Sequence, residues 1–358
     1  MKIIFLNSSK KWGGNERWLT TAINGLAGRG HSVHLVKRSK VVHWNRINSN
    51  VNIIDAPFTN ELSFKTKKII CDHIRENQIE LIISTKRKDY FIGGRVKKQI
   101  NIPHVIRLGI SRPILKRDFI QRILLKKRVD GIIVNAKKLK EELLSYRFLN
   151  KSFNNNDIVS IYNGYKIFSL KKIINNKNNS TIDIRSAGRL TRQKGYDFLI
   201  EVAKKLKKEK IKFIIKIAGD GPERKNLLKA IQDNYLNNEF FLEGEIDNVI
   251  DFFNDSDLVV IPSRSEGIPN TLFEAWQVKK PVLVTNVGGV EEVLIDNFNG
   301  IICEPRVDDI FNGIVKYIKK DRKKLIQLGI NGFETLNKSF SMDIMIKKIE
   351  NYLLRFIN

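Results

Sequence analysis

The chain has 358 residues and is 42% hydrophobic, with a formal net charge of +26 and only two cysteines. That length supports two domains of ordinary size, and that composition excludes a disordered or fibrous chain. Cys71 and Cys303 lie far apart without ligand-like neighbours, which excludes a disulfide scaffold and a zinc site and suits a reducing compartment. The excess of 64 Lys and Arg over 38 Asp and Glu favours polyanionic partners such as nucleic acid, an acidic membrane surface, a phosphorylated glycolipid or nucleotides. Alternatively it reflects a Lys-, Asn- and Ile-rich composition spread over solvated faces. The apolar run at residues 1–7 is too short for a signal peptide, and no run nears the roughly 20 residues that span a bilayer. The expectation is a cytoplasmic protein, either free or peripheral on a membrane face.

In chain order, residues 3–6 read as a strand that delivers a glycine loop, Trp12-Gly13-Gly14-Asn15. A helix follows with Trp18, Leu19, Ala22, Ile23, Leu26 and Ala27 on one face, closed by Gly28 and Gly30. Residues 32–36 form the next strand, completing a βαβ unit. The glycine loop is either a ligand loop at the carboxyl end of a sheet or a tight turn that needs glycine. A lysine-rich helix over residues 64–77 leads to a strand at 80–84. Lys86-Arg87-Lys88 just beyond it either reads an anionic group or forms a solvated loop. Residues 102–108 enter another strand. Residues 112–128 set an apolar face against seven basic residues, a pattern suited to an anionic bilayer surface or to ordinary core packing. Residues 130–134, a helix at 137–145 and residues 158–162 complete the first half. The Lys/Asn/Ser-rich residues 166–181 read as a linker.

The second half restarts with a strand at 183–187 and the loop Gly188-Arg189-Leu190-Thr191-Arg192-Gln193-Lys194-Gly195. A helix with Phe198, Leu199, Val202, Ala203 and Leu206 on one face comes next. A strand at 211–218 runs into Gly219-Asp220-Gly221-Pro222, with Pro222 expected at the first position of the following helix. Segments 240–242, 249–253, 258–261, 271–278, 281–285 and 290–295 continue the alternation, and residues 342–356 form a last helix. Strands alternating with helices predict parallel sheets covered on both faces, so the fold class is α/β with two doubly wound, Rossmann-like domains. Their ligand crevices lie at the carboxyl ends of the strands.

Residues 262–276, PSRSEGIPNTLFEAW, carry the chemistry. A buried strand, a loop and a helix place Glu266 and Glu274, eight positions apart, around a helix start whose amides attract an anion. Phosphate between two hydroxyl-bearing ends would fit, as in a nucleotide diphosphate sugar. Arg189 and Lys194 belong to a loop at the same sheet edge and would stabilise charge on a leaving diphosphate. Asp255-Ser256-Asp257 matches an Asp-x-Asp metal pattern but precedes its strand, so it reads as a turn and no metal is assigned.

The stretch resembles the donor signature of GT-B glycosyltransferases of family 4, Glu266-x7-Glu274. Gly13-Gly14-Asn15-Glu16, Gly188-Arg189-Leu190 with Lys194-Gly195, Gly219-Asp220-Gly221-Pro222 and Gly288-Gly289-Val290-Glu291-Glu292 resemble that family in the same order. The resemblance implies two domains facing each other across a cleft: an acceptor-binding domain at 1–165, a linker at 166–181, a nucleotide-sugar-binding domain at 182–338, and a helix at 339–358 crossing back. It assigns catalysis to Glu266, Arg189 and Lys194. Arg189 and Lys194 go to the diphosphate, Glu274 to the ribose and Glu266 to the transferred sugar. Gly13, Gly14, Gly267, Ile268, Asn270 and Thr271 join the donor site, and Asn15 and Arg107 face the acceptor. Two departures stand out: Pro269 replaces a glycine, and His104 falls too early for the histidine that relatives place beside the sugar. The implied activity is a retaining, metal-free transfer of a hexosyl group from a nucleotide-sugar donor to a glycan or glycolipid acceptor in lipopolysaccharide or other surface-polysaccharide synthesis, with an anionic membrane surface as a further partner. Alternatives are another GT-B enzyme such as a sugar-nucleotide epimerase, or a basic nucleic-acid-binding protein, for which no module is recognised.

Overall fold

The computed structural model describes residues 1–38, 44, 46–109, 119–167, 181–319 and 321–357. Most of the expected linker and the first seven residues of the basic amphipathic stretch lie outside the described residues. The chain divides into two compact units, Met1–Gly164 with Phe340–Asn358, and Tyr165–Ser339.

In the first unit the elements run β1 (Lys2–Asn7), α1 (Gly14–Gly28), β2 (Ser32–Arg38), β3 (Asn52–Ala56), α2 (Phe64–Asn77), β4 (Leu81–Ser84), α3 (Arg87–Ile100) and β5 (His104–Leu108). They continue with α4 (Phe119–Arg128), β6 (Gly131–Val134), α5 (Lys137–Ser145), α6 (Arg147–Asn150) and β7 (Ile158–Ser160). The seven strands pair in parallel in the order β3-β2-β1-β4-β5-β6-β7. The central strands carry continuous apolar runs, Ile3 to Leu6 in β1, Leu81 to Ile83 in β4 and Ile132 to Val134 in β6, because helices cover both faces of the sheet. The face expected of α1 is buried, from Trp18 to Ala27. Three elements of this unit escape the sequence pattern, the short half-exposed strand β3, helix α3 and the four-residue α6. Lys86-Arg87-Lys88 accordingly opens α3 instead of forming a loop.

The second unit runs β8 (Ile182–Ala187), α7 (Tyr196–Lys208), β9 (Phe213–Ala218), α8 (Arg224–Asp233), β10 (Phe240–Gly244), α9 (Val249–Asn254) and β11 (Leu258–Ile261). It ends with α10 (Asn270–Gln277), β12 (Val282–Thr285), β13 (Ile301–Cys303), α11 (Val307–Ile318) and α12 (Arg322–Ser339). Its six parallel strands are ordered β10-β9-β8-β11-β12-β13. Residues 290–295 contain a 3-10 turn, Val290–Glu292. Pro222 does not open α8. The amide of Glu223 donates to the Leu190 carbonyl (3.0 Å) and that of Arg224 to Gly221 (3.1 Å), so a turn intervenes and the helix begins after Glu223, whose side chain does not cap it.

The last helix, α13 (Met342–Leu354), belongs to the first unit. Its Met345, Ile346, Ile349, Tyr352 and Leu353 complete the core around Trp18, Leu19 and Ile23. Gly25 makes room for it, since a Cβ there would lie 2.1 Å from the Ile346 side chain. Glu350 fixes the helix to the end of α1, accepting from Arg29 at 2.8 Å and meeting His31 at 2.7 Å.

Candidate active site

In the second sheet the chain leaves β8 for β9 on one side and reaches β11 on the other, so the connections diverge between β8 and β11. Open parallel sheets bind ligands outside the carboxyl ends of their strands at such a point. The loop after β8 carries Arg189 and Lys194, and the loop after β11 carries Glu266.

These two loops are laced together. Arg264 donates its amide to the Gln193 carbonyl (2.8 Å), and Gln193 Nε2 donates to the Ser265 carbonyl (2.6 Å). The Arg264 guanidinium forks onto Asp197 at 2.6 and 2.5 Å and lies 3.8 Å from the Phe198 ring centre. Gly195, at φ +71°, lets the backbone pass so close to Pro262 that a Cβ would lie 2.0 Å from its carbonyl oxygen. Gly288, at φ +65°, allows a third loop to approach, where a Cβ would meet the Glu266 carbonyl oxygen at 1.9 Å. The Gly289 amide donates to the Gly267 carbonyl at 2.7 Å.

Held this way, the Lys194 ammonium forms an ion pair with the Glu266 carboxylate, both mostly buried. Ser263 Oγ donates to the same Glu266 oxygen at 3.2 Å, and Thr285 Oγ1 anchors the Ser263 carbonyl at 2.6 Å. Arg189 is exposed and has no ion-pair partner among the described residues. Gly267 and Ile268 lead to α10, which Pro269 precedes and whose first turn no side chain caps. The hydroxyl of Thr271 is buried there without a hydrogen-bond partner. Asn270 accepts from the Tyr165 hydroxyl at 2.6 Å, and the Tyr165 ring stacks on Phe273 at 4.5 Å. Glu274, half-buried, lies one turn further along α10. A cavity of about 410 Å³ opens beside this edge, lined by Thr191, Arg192, Glu223 and Asn226 among others, and none of Arg189, Lys194, Glu266 or Glu274 lines it.

Asp255 and Asp257 lie at the amino end of β11, away from the Glu266 loop. Asp257 accepts from the Asp183 amide at 2.8 Å, and Asp255 lies 3.7 Å from Arg185, so both serve the strand entrance.

The remaining predicted residues belong to the first unit, whose connections diverge between β1 and β4. Gly13 and Gly14 lie outside the left-handed region, so no turn requires glycine at either position. Glu16, 2% exposed, pairs with Lys86 at 2.9 Å and links the first turn of α1 to the start of α3. Burial raises the Glu16 carboxyl, but the Lys86 bond and charge, with Asn7 and Asn15, outweigh it and leave it below the usual carboxylate range. Arg107 is buried, donating to Asn15 Oδ1 at 2.6 Å and Asn163 Oδ1 at 3.2 Å beside the Trp18 ring. Burial lowers its guanidinium to about 10. Asn15 and Arg107 are therefore bonded to each other. His104 is sealed in the core between Ser84 Oγ and the Arg128 carbonyl, both at 2.8 Å. Sequence reasoning did not single out the Glu16–Lys86 pair. Its two halves were visible separately, Glu16 in the glycine-loop motif and Lys86 in the basic cluster after β4, but nothing local joins them across 70 residues.

Two doubly wound parallel units with glycine-shaped, charged loops at a strand divergence define the GT-B architecture. Structural likeness agrees: the chain superposes on Anabaena HepE solved in complex with UDP with a TM-score of 0.82, covering 99% of this chain and 100% of that one at 20% identity. It also superposes on a lipopolysaccharide outer core galactosyltransferase, WaaB, with a TM-score of 0.77, 99% coverage of both chains and 15% identity. Residues 168–335 match the family described as Glycosyl transferases group 1. An uncharacterized glycosyltransferase of Methanocaldococcus jannaschii is 31% identical over 258 residues, 70% of this chain and 68% of that relative. The chain belongs to the group 1 glycosyl transferases.

Proposed function

We propose that the chain is a retaining enzyme of family 4 that moves a hexosyl group from a nucleotide diphosphate sugar to a hydroxyl of a glycan or glycolipid. The observation that carries this reading is the Lys194–Glu266 pair, pinned between two loops at the β8/β11 divergence beside the uncapped start of α10. A diphosphate arriving there competes with Glu266 for Lys194. The ammonium turns to the phosphates, joined by Arg189 and the amides of Asn270 and Thr271, and Glu266 is released to accept from a sugar hydroxyl. Glu274 accepts from the ribose hydroxyls, and Gly267 and Ile268 line the donor with their backbone. In the first unit, Asn15, oriented by Arg107, faces the acceptor.

As the sugar–phosphate C–O bond breaks, negative charge grows on the leaving diphosphate, and fixed cations with oriented amides stabilise it. The acceptor oxygen forms the new bond on the same face, and its proton passes to the leaving diphosphate. Arg189 and Lys194 supply the charge stabilisation that a metal supplies elsewhere, so turnover survives a chelator.

The likeness to a lipopolysaccharide outer core galactosyltransferase supports a role in surface polysaccharide or lipopolysaccharide synthesis, and the reading places the chain on the cytoplasmic side of a membrane. Among the described residues no helix is long and apolar enough to cross a bilayer. On α4, Ile123 is 42% exposed beside exposed Lys126 and Lys127, a surface suited to anionic lipid. Co-sedimentation with vesicles should rise with anionic lipid content, and indifference to it removes the peripheral assignment.

A screen of nucleotide sugars for release of free nucleotide tests the activity. Arg189→Ala and Lys194→Ala should each lower kcat about 100-fold or more while the fold is kept. Glu274→Ala should mainly raise KM. Folded variants that turn over like the parent reject the assignment.

A further inference from the structure

At the carboxyl edge of the first sheet, three cations from three separate segments converge: Lys10 after β1, Arg38 at the end of β2, and Lys88 in the first turn of α3. Among the described residues, the bonded partners of Arg38 and Lys88 are neutral. Arg38 donates to the carbonyls of Ser8 (3.2 Å) and Phe58 (2.5 Å), and Lys88 to those of Phe58 and Thr59, both at 3.0 Å. Phe58 turns its carbonyl to both cations from a left-handed backbone, φ +44°, which is uncommon for a bulky residue.

The cost of this arrangement is visible at Lys88, whose ammonium is held below the ordinary lysine range by burial first and then by repulsion from Arg38 and Lys10. Asp89 and Glu61 temper it only in part. Asp89 is fully buried, with Oδ1 accepting from the Ser8 amide at 2.9 Å and Oδ2 unpartnered, and burial pushes its carboxyl up to about 7. Glu61 pairs with Arg87 at 2.9 Å. At the start of α3, Glu16 and Glu61 pair Lys86 and Arg87, and Asp89 is the acidic residue of the first turn, which leaves Lys88 as the cation there without a carboxylate bonded to it among the described residues, at a helix end whose dipole disfavours cations. Neutral donors would hold the Phe58 carbonyl as well. Converging cations with carbonyl partners, at the sheet edge where ligands bind, are explained by an anion.

We propose that Lys10, Arg38 and Lys88, with the start of α3, form a site for a phosphoryl group, and that the acceptor carries this group near its accepting hydroxyl. The identity of the carrier as acceptor rests on the glycosyl-transfer reading; the anion site does not. A phosphoryl dianion replaces cation repulsion with charge-assisted hydrogen bonds.

The test uses the full chain with Arg189→Ala, which removes an exposed donor-side cation from competition. Glycerol 3-phosphate is titrated by calorimetry, and vesicles of phosphatidic acid in phosphatidylcholine are tested by co-sedimentation. Lys88→Gln should weaken binding about tenfold or more, and Lys10→Gln, at an exposed position, about threefold, with melting curves unchanged. Loss of glycerol 3-phosphate binding supports a soluble phosphorylated acceptor, and loss confined to vesicles supports a lipid-borne one. If Lys88→Gln does not fold, the Lys10→Gln result decides. Absence of binding to both probes, or equal binding by parent and variants, overturns the site. Nucleoside diphosphate binding is measured in parallel with Arg189 intact. Its failure rejects the donor reading without touching the phosphate result, and its persistence in Lys88→Gln separates the two sites.

Discussion

Gly195 shows how much one residue carries. Its left-handed backbone and the 2.0 Å approach of the Pro262 oxygen leave no room for a side chain. Gly195→Ala should cost about 2 kcal/mol or more, a fall of about 4–8 °C in the melting of its unit, and should lose donor turnover because the Lys194 and Glu266 loops are forced apart. Gly28→Ala is the control: nothing lies within 4 Å of a Cβ there, so melting should hold or rise slightly. Histidines make a second residue-scale prediction. All five lie in the first unit. Burial, then repulsion from His73 and Lys2, lowers His34 to about 4, and burial lowers His104 to about 4. Unfolded imidazoles titrate near 6.5, so between about pH 6.5 and 4 the unfolded chain binds more protons; stability present above 6.5 is lost as the pH falls towards 4. Asp89, pushed up to about 7, opposes this, but two imidazoles outweigh one carboxyl. Calorimetry should show the first unit's melting falling faster than the second's across this window, and parallel shifts would contradict the burial argument.

Among the elements, many strands and amphipathic helices were legible where their residues repeat with a local period, but β13, α11 and α12 were not anticipated. Helix α2 and strand β11 match their expected bounds because each signal lies within one turn or one pleat. Helix α3 was missed because Gly93-Gly94 interrupts its pattern, and the reason lies in its neighbours: a Cβ on Gly93 would stand 2.6 Å from His104 Nε2, and one on Gly94 2.7 Å from Leu124. Strand β3 was missed because it is an edge strand with little buried surface. Helix α13 was expected as a helix, and its packing on α1 gives a prediction. Ile349→Ala, at a position 0% exposed, should cost about 2–4 kcal/mol in the first unit and leave the second unit's melting unchanged.

For the whole molecule, division of the chain into two cores implies two separable unfolding events. Ending the chain at residue 339 should uncover Leu19 and Ile23 in the first core and lower only that unit's transition. The sequence by itself determined the alternation of strands and helices, the doubly wound class, and the order of loops bearing Arg189, Lys194, Glu266 and Glu274, because these follow from periodicity and residue type within short windows. Only the tertiary structure decided that Lys194 meets Glu266 across 72 residues, that Arg107 is spent on Asn15 and Asn163, and that Arg38 and Lys88 share the Phe58 carbonyl. The physical reason is sheet order: strands distant in sequence become neighbours through core burial, and the loops at their ends meet as a consequence.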